Sequence, residues 1–200
     1  RYDIIQHMIN LAKIKKRLQW IFAFVLLPAV NLMACFYTNI FYQNQTYIGN
    51  ELGHSLYLFL WGSSNACYFF VMSRKCMHRY PCLNQGYEKL LAVLCIMMAL
   101  SVLIPYYPQT LFQLSKWHVR LAMISSAGFA ILFFYFLFMG TMHGYGQFQH
   151  YLFYYMLICM VSLCGFASTG GVTSFTEITF SVGMGFLLYL MVSNKPGNRK

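Results

Sequence analysis

The sequence predicts an all-α polytopic membrane protein, a bundle of six transmembrane helices with both termini in the cytoplasm. Three observations support this fold class. Hydrophobic residues fill 59% of the 200 positions and charged residues only 9%, whereas soluble domains carry about 25% charged residues. Six apolar stretches are each long enough to cross a bilayer, and the basic residues gather between alternate stretches. This composition excludes ordinary soluble domains, disordered chains and disulfide-stapled secreted scaffolds.

The six spans are predicted from length, because a membrane-crossing helix needs about 20 mostly apolar residues. The third and fifth spans are short, so we expect them to stand nearly upright or to lie in thinned bilayer. Pro28 lies inside the first span, where it should kink the helix or release a carbonyl group. The predicted spans cover residues 18–42, 52–73, 90–107, 117–142, 151–168 and 176–193.

The orientation follows from the basic residues. Twelve of the 14 Lys and Arg residues lie before the first span, between the second and third, or after the sixth. With six spans these regions share one side of the membrane, which the positive-inside rule makes cytoplasmic. We expect an integral protein of the plasma (cytoplasmic) membrane. Because topology explains the net charge of +10, nucleic acid is not an expected partner.

The chain divides into three predicted parts. Apolar residues recur at helical spacing between Ile4 and Ala12, and basic residues follow at 13–17. Residues 1–17 are therefore predicted to form a cytoplasmic amphipathic helix on an anionic membrane surface; the alternative is that this helix docks on another protein. Residues 18–193 are the six-helix transmembrane domain, and residues 194–200 are a basic cytoplasmic tail.

Five ionisable residues lie at the predicted outer ends of three spans. Glu51 and His54 enter the second span, His118 and Arg120 enter the fourth, and Glu177 begins the sixth. Ionisable groups at membrane depth are costly and are by default candidates for function. If the three spans are neighbours, a carboxylate could pair with the guanidinium of Arg120. The alternative is that these side chains snorkel to the interface or form structural ion pairs.

Small residues suggest how the spans pack. They interrupt the second span at 62–64, the fourth at 125–128 and the sixth at Gly183 and Gly185. Small side chains let helix backbones approach closely. This predicts a bundle centred on the second, fourth and sixth spans, the same spans that carry the outer ionisable residues.

Three functions fit these five residues. The first is binding of a membrane lipid or another amphiphile in an outward-facing polar pocket, with Arg120 and His118 holding a phosphate. Its role would be lipid homeostasis, transport or sensing, without a cofactor. The second is a metal-dependent lipid hydrolase or transferase, with zinc held by Glu51, His54, His118 and Glu177. The third is an accessory subunit that contacts a membrane-protein partner or a second copy. The sequence favours a non-enzyme.

One stretch resembles a known family. Tyr47-Ile48-Gly49-Asn50-Glu51-Leu52-Gly53 leads into a span that carries Gly62, and Pro105-Tyr-Tyr-Pro108 precedes His118. This pattern is similar to the Tyr-Ile-Ser-x-x-Gly entry to the second span of the DRAM/Sfk-like membrane proteins and of related small bacterial membrane proteins of unknown function. Position 49 is Gly where the family usually has Ser. The resemblance implies six spans and a lipid- or membrane-linked role, and it marks Glu51, Gly53 and His118 as candidate positions.

Overall fold

The computed structural model of the protein describes residues 13–194. The predicted all-α class is confirmed in this range, where the chain forms seven helices. We number them α1 to α7 in chain order. Their bounds are α1 Lys13–Tyr37, α2 Gln45–Asn50, α3 Ser55–Arg79, α4 Gln85–Ser101, α5 Phe112–Met142, α6 Phe148–Thr169 and α7 Ser174–Ser193.

Four of the described helices, α1, α5, α6 and α7, are long and apolar enough to cross a membrane. They indicate a membrane-embedded protein. Helix α4 has 17 residues, about 26 Å at the rise of an α-helix, which is shorter than a bilayer core of about 30 Å. Helix α3 has 25 residues, but its middle contains Ser63, Ser64 and Asn65. Four candidate spans are therefore established in residues 13–194, and the six-span count and the orientation stay predictions.

The first helix crosses the boundary that separates the predicted interfacial helix from the first span. Residues 13–17 are helical and continue directly into the span. Residues 1–12 of that predicted helix and residues 195–200 of the predicted tail lie outside the described range.

Phe22–Leu26 forms a turn of π-helix in which the Leu27 N–H donates to the Phe22 carbonyl. Pro28 follows directly and has no N–H to donate, so the irregularity expected at Pro28 takes the form of this π-turn.

The long helices pack as a ring. Each of α3 to α7 packs on its neighbours in the chain, α7 closes the ring on α3, and α1 packs outside against α3 and α7. Phe69 of α3 and Phe129 of α5 stack inside the ring with centroids 5.0 Å apart, and both are almost fully buried. Large aromatic side chains therefore fill the space between α3 and α5.

The small residues do not join the helices as predicted. Helices α3 and α7 pack on each other, but α5 packs mainly on α4 and α6. A Cβ on Gly128 of α5 would lie 2.6 Å from Cδ2 of Leu94 in α4. A Cβ on Gly62 of α3 would lie 2.5 Å from Cγ1 of Val102, just after α4. The three helices do contribute to one hydrophobic core, but large side chains fill it, and the glycines of α3 and α5 lie against α4 rather than at that centre.

The bundle has two chemically distinct ends. The Glu177 end contains α2 and the starts of α3, α5 and α7. The Arg79 end contains the end of α3, the start of α4, the α5–α6 connection and the end of α7. There Tyr80 packs edge-on against Tyr145 and Phe148. Burial raises the pKa of the Tyr80 phenol to about 12. Its hydroxyl oxygen accepts a hydrogen bond from Nε2 of Gln147 at 3.3 Å.

Candidate functional site

The five predicted site residues all lie at the Glu177 end, but their surroundings differ. Glu51, His54 and Arg120 are exposed. His118 is only 5% exposed, and Glu177 is half-buried. Among residues 13–194, no hydrogen bond or ion pair joins any two of the five. The site must therefore be built from what each residue contacts.

The exposed cation and imidazole of this set rest on aromatic rings. The His54 ring lies against Tyr37 with centroids 4.3 Å apart. The Arg120 guanidinium carbon lies 5.7 Å from the centroid of the Trp117 ring. Aromatic and basic side chains combine in this way at membrane interfaces. No carboxylate forms an ion pair with Arg120 within the described residues, where the ion pairs form at Glu88.

Glu177 is held by a chain of buried hydrogen bonds. It lies in the first turn of α7, where the helix dipole favours a carboxylate. Its Oε2 accepts a hydrogen bond from the backbone N–H of Gln45 at 2.9 Å. Gln45 is fully buried, and its Oε1 accepts from the Tyr57 hydroxyl at 2.7 Å. A polar connection thus runs from α7 through α2 to α3.

His118 uses both of its ring nitrogens. Nδ1 lies 2.9 Å from the Ile104 carbonyl oxygen, which can only accept, so Nδ1 carries a proton. Nε2 lies 3.2 Å from the Thr46 hydroxyl and accepts from it when the ring is neutral. The imidazole also lies against Tyr106, with centroids 5.5 Å apart. These contacts fasten the start of α5 to α2.

One short helix joins the two buried candidates. Gln45 contacts Glu177 and the adjacent Thr46 contacts His118. Asn44 caps this helix, because its Oδ1 accepts from the Tyr47 N–H at 2.8 Å, a contact typical of helix starts. The first turn of α2 is therefore the point where the starts of α5 and α7 meet.

Two buried polar atoms beside Glu177 lack a partner. Nε2 of Gln45 and Oγ of Ser174 make no hydrogen bond within the described part of the chain, and both residues are 0% exposed. A buried polar group without a partner costs about 1–3 kcal/mol. Such groups are usually satisfied by ordered water or by a ligand. Gln45 bonds to Glu177 through its backbone and Ser174 precedes Glu177 by three positions, which makes these three residues candidates for a polar site.

A buried amide network in the same half of the bundle was not predicted. Asn31 and Asn65 are 0% and 3% exposed. Oδ1 of Asn31 accepts from the Trp61 indole at 2.8 Å, and its Nδ2 lies 3.4 Å from Oδ1 of Asn65. The signal was a lone amide in the middle of each of two apolar spans, which commonly bonds across helices in membranes. The network connects α1 to α3 below the Gln45 site.

The remaining candidate position is structural. Gly53, which the family resemblance marks, has φ of +76° in the turn between α2 and α3. Side-chain-bearing residues rarely adopt that backbone conformation. The position therefore requires glycine for the turn, which brings the chain from α2 back into α3.

The zinc site proposed from the sequence stays a prediction. Residues 13–194 contain no group of three His, Cys, Asp or Glu side chains placed to hold a metal ion. Both ring nitrogens of His118 are engaged by Thr46 and Ile104. The four ligands proposed from the sequence do not form a common centre.

The chain matches no protein-family model, no curated protein and no solved structure. The likeness to the DRAM/Sfk-like proteins therefore stays a prediction.

Proposed function

We propose that the protein binds a lipid or another amphiphile in an outward-facing polar pocket at the Glu177 end, with a role in membrane lipid homeostasis, transport or sensing. One observation carries the proposal. Glu177 is half-buried and accepts from the backbone N–H of Gln45, whose side-chain nitrogen has no partner within the described residues, and Ser174, three positions before Glu177, has an unpartnered hydroxyl there too. This is a binding function, and it requires no cofactor.

The chemistry of the pocket favours a headgroup that both donates and accepts hydrogen bonds. The amide nitrogen of Gln45 needs an acceptor, and the Glu177 carboxylate needs a donor or a positive charge. A zwitterionic or hydroxyl-bearing headgroup supplies both. Arg120, which the sequence placed on a lipid phosphate, rests on Trp117 instead, so the proposed contacts shift from Arg120 to Gln45 and Ser174.

An amphiphile suits this position better than a soluble solute. Phe41 and Phe175 stack beside the pocket with centroids 5.1 Å apart, and Phe41 is 52% exposed. Exposed aromatic rings at the end of a membrane helix lie where headgroups meet acyl chains. A bound lipid can therefore place its polar part near Glu177 and its apolar part along this aromatic pair.

The proposal includes the six-span topology with both termini cytoplasmic. It requires α3 and α4 to span the membrane beside the four candidate helices. Support comes from α4, whose Leu90, Val93, Ile96 and Leu100 are all exposed and recur at helical spacing along one face. An exposed apolar face is expected against lipid, and a short helix is accommodated when the bilayer thins locally.

The test is retention of lipid by the purified full chain. Native mass spectrometry in a mild detergent compares the natural protein with Glu177→Gln, which keeps an acceptor for the Gln45 N–H but removes the charge. Glu51→Gln is the matched control, because Glu51 is exposed at the same end. We expect Glu177→Gln to retain about tenfold less lipid, since hydrogen bonds to charged groups contribute about 1.5–3 kcal/mol.

Two results would contradict the proposal. The natural protein would carry no bound lipid after gentle purification, or both variants would retain lipid equally. In the second case the retained lipid would be bound around the bundle rather than at Glu177.

A further inference from the structure

The Arg79 end contains two adjoining cavities that the proposed function does not use. The first, of about 570 Å³, lies between α3 and α7. The second, of about 680 Å³, lies between α3 and α4 and shares Phe70, Arg74 and His78 with the first. Both open at the opposite end of the bundle from Glu177.

The first cavity combines an apolar wall with a basic mouth. Phe70 and Val71 of α3 and Val192 of α7 form the wall. Four basic or imidazole side chains follow at the end of α3, and none of the described residues that line this cavity is acidic. These four are Arg74, Lys75, His78 and Arg79.

The cations at this mouth are only partly neutralised. Glu88 of α4 forms an ion pair with Arg74 and lies 3.3 Å from Nε2 of His78. Lys75 is exposed and has no ion-pair partner among residues 13–194. The cavity mouth therefore keeps an excess of positive charge, which an anion would offset.

Arg79 adds an unsatisfied donor. Its Nη1 donates to the carbonyl oxygen of Val192, near the end of α7. Its Nε is buried and has no hydrogen-bond partner within the described residues. A guanidinium with a donor left over in a positively charged cavity is suited to phosphate, because phosphate oxygens accept several charge-assisted bonds.

We infer that the cavity between α3 and α7 binds the phosphate headgroup of an anionic membrane lipid. Lys75 and Arg79 contact the phosphate, with Arg74 and His78 at its edge. The acyl chain lies along Phe70, Val71 and Val192. The apolar wall selects a lipid over a free phosphate, because a soluble anion would gain nothing from that surface. This site is separate from the one proposed at Glu177.

The experiment measures lipid retained by the full chain reconstituted in nanodiscs. The discs contain phosphatidylcholine alone or phosphatidylcholine mixed with phosphatidylglycerol, and bound lipid is counted by native mass spectrometry after release into detergent. We expect phosphatidylglycerol to be retained in preference. Lys75→Gln should weaken that retention about tenfold, as expected for one charge-assisted contact. Lys116→Gln, which makes the same change at an exposed position of the Glu177 end, should leave retention unchanged.

A second variant tests the apolar wall. Val71→Trp places a large ring in the cavity without altering any charge, and Val71 is 39% exposed, so folding should tolerate it. Loss of phosphatidylglycerol from this variant supports the site. Two other results would overturn the inference. One is equal retention of both lipids, and the other is equal loss in the Lys75 and Lys116 variants. One further result would show a free-anion site instead. Inorganic phosphate would displace the lipid as effectively as soluble glycerol phosphate does, and Val71→Trp would retain as much phosphatidylglycerol as the natural protein.

Discussion

The two ends of the bundle handle charge in different ways. At the Glu177 end the carboxylate is drawn into a hydrogen-bonded chain with Gln45, while the cation of Arg120 lies outside on an aromatic ring. At the Arg79 end Glu88, the one carboxylate there within residues 13–194, neutralises part of a basic cavity, and the guanidinium of Arg79 reaches inward to α7. At the Glu177 end a carboxylate is thus held inward without a cation, and at the Arg79 end the carboxylate is paired with a cation.

This difference matches the two leaflets of a membrane. Anionic lipids are concentrated in the cytoplasmic leaflet, whose negative surface potential attracts basic side chains. The pocket proposed at the Glu177 end, which is acidic and amide-lined, would repel those lipids and suit zwitterionic headgroups. The headgroup chemistry proposed at each end is thus consistent with the proposed topology, and both depend in part on the same basic residues, Arg74, Lys75 and Arg79.

The largest predicted effect concerns which side each end occupies. Gln85→Cys reports on the α3–α4 turn and Val172→Cys on the α6–α7 turn, and both positions are exposed. In intact cells a membrane-impermeant maleimide should label Val172→Cys fully. It should label Gln85→Cys only after permeabilisation, because six spans place the two turns on opposite sides of the membrane.

The background for this experiment keeps the buried cysteines Cys76, Cys82 and Cys95, and replaces the exposed and half-buried ones. Labelling of both positions from outside would show that only the four candidate spans cross, because α2, α3 and α4 would then remain on one side. Labelling of Gln85→Cys alone would reverse the proposed orientation.

The second prediction compares the two histidines of the Glu177 end. His118→Phe keeps the contact with Tyr106 but leaves the Ile104 carbonyl and the Thr46 hydroxyl without their partner. We expect a loss of about 1–3 kcal/mol in the free energy of unfolding, the cost of unsatisfied buried polar groups. The measurement is unfolding in mixed micelles titrated with dodecyl sulfate.

His54→Phe is the matched control for that experiment. His54 is exposed and lies on Tyr37, a contact that a phenyl ring preserves. Its free energy of unfolding should change by no more than about 0.5 kcal/mol, as for most surface substitutions. Equal losses in the two variants would mean that His118 does not fasten α5 to α2.

The long helices and the short helix α2 differ in how far the sequence predicts them. Each predicted span contains a long helix, because apolar length alone specifies such segments. The short helix α2 was missed because its stability comes from tertiary contacts. Ile48 is fully buried, and a Cβ on Gly49 would lie 2.5 Å from Cβ of Leu58, so only glycine allows α2 to approach α3 this closely.

The composition of the site was predicted only in part for a related reason. Glu177 and His118 were found because ionisable residues are rare in apolar spans. Their partners Gln45 and Thr46 lie 132 and 72 positions away along the chain, in a loop of ordinary polar composition. Single-sequence patterns contain no information on such pairings. The hypothesis that all five ionisable residues converge assumed a common cavity, whereas three of them are exposed.

The smallest predicted effect concerns Arg120 and decides whether it anchors the interface or binds a ligand. Its guanidinium over Trp117 should contribute about 0.5–1 kcal/mol at an exposed site, so Arg120→Gln should lower the free energy of unfolding by no more than that. Lipid retention at the Glu177 end should stay within about twofold of the natural protein, because a ligand that does not contact Arg120 loses no interaction. Native mass spectrometry of Arg120→Gln beside Glu177→Gln measures the lipid retention. Unfolding in mixed micelles titrated with dodecyl sulfate measures the free energy. A loss of lipid in the Arg120 variant as large as in the Glu177 variant would place the guanidinium back in the pocket. The contrast between an inward acid and an outward base at this end would then fail.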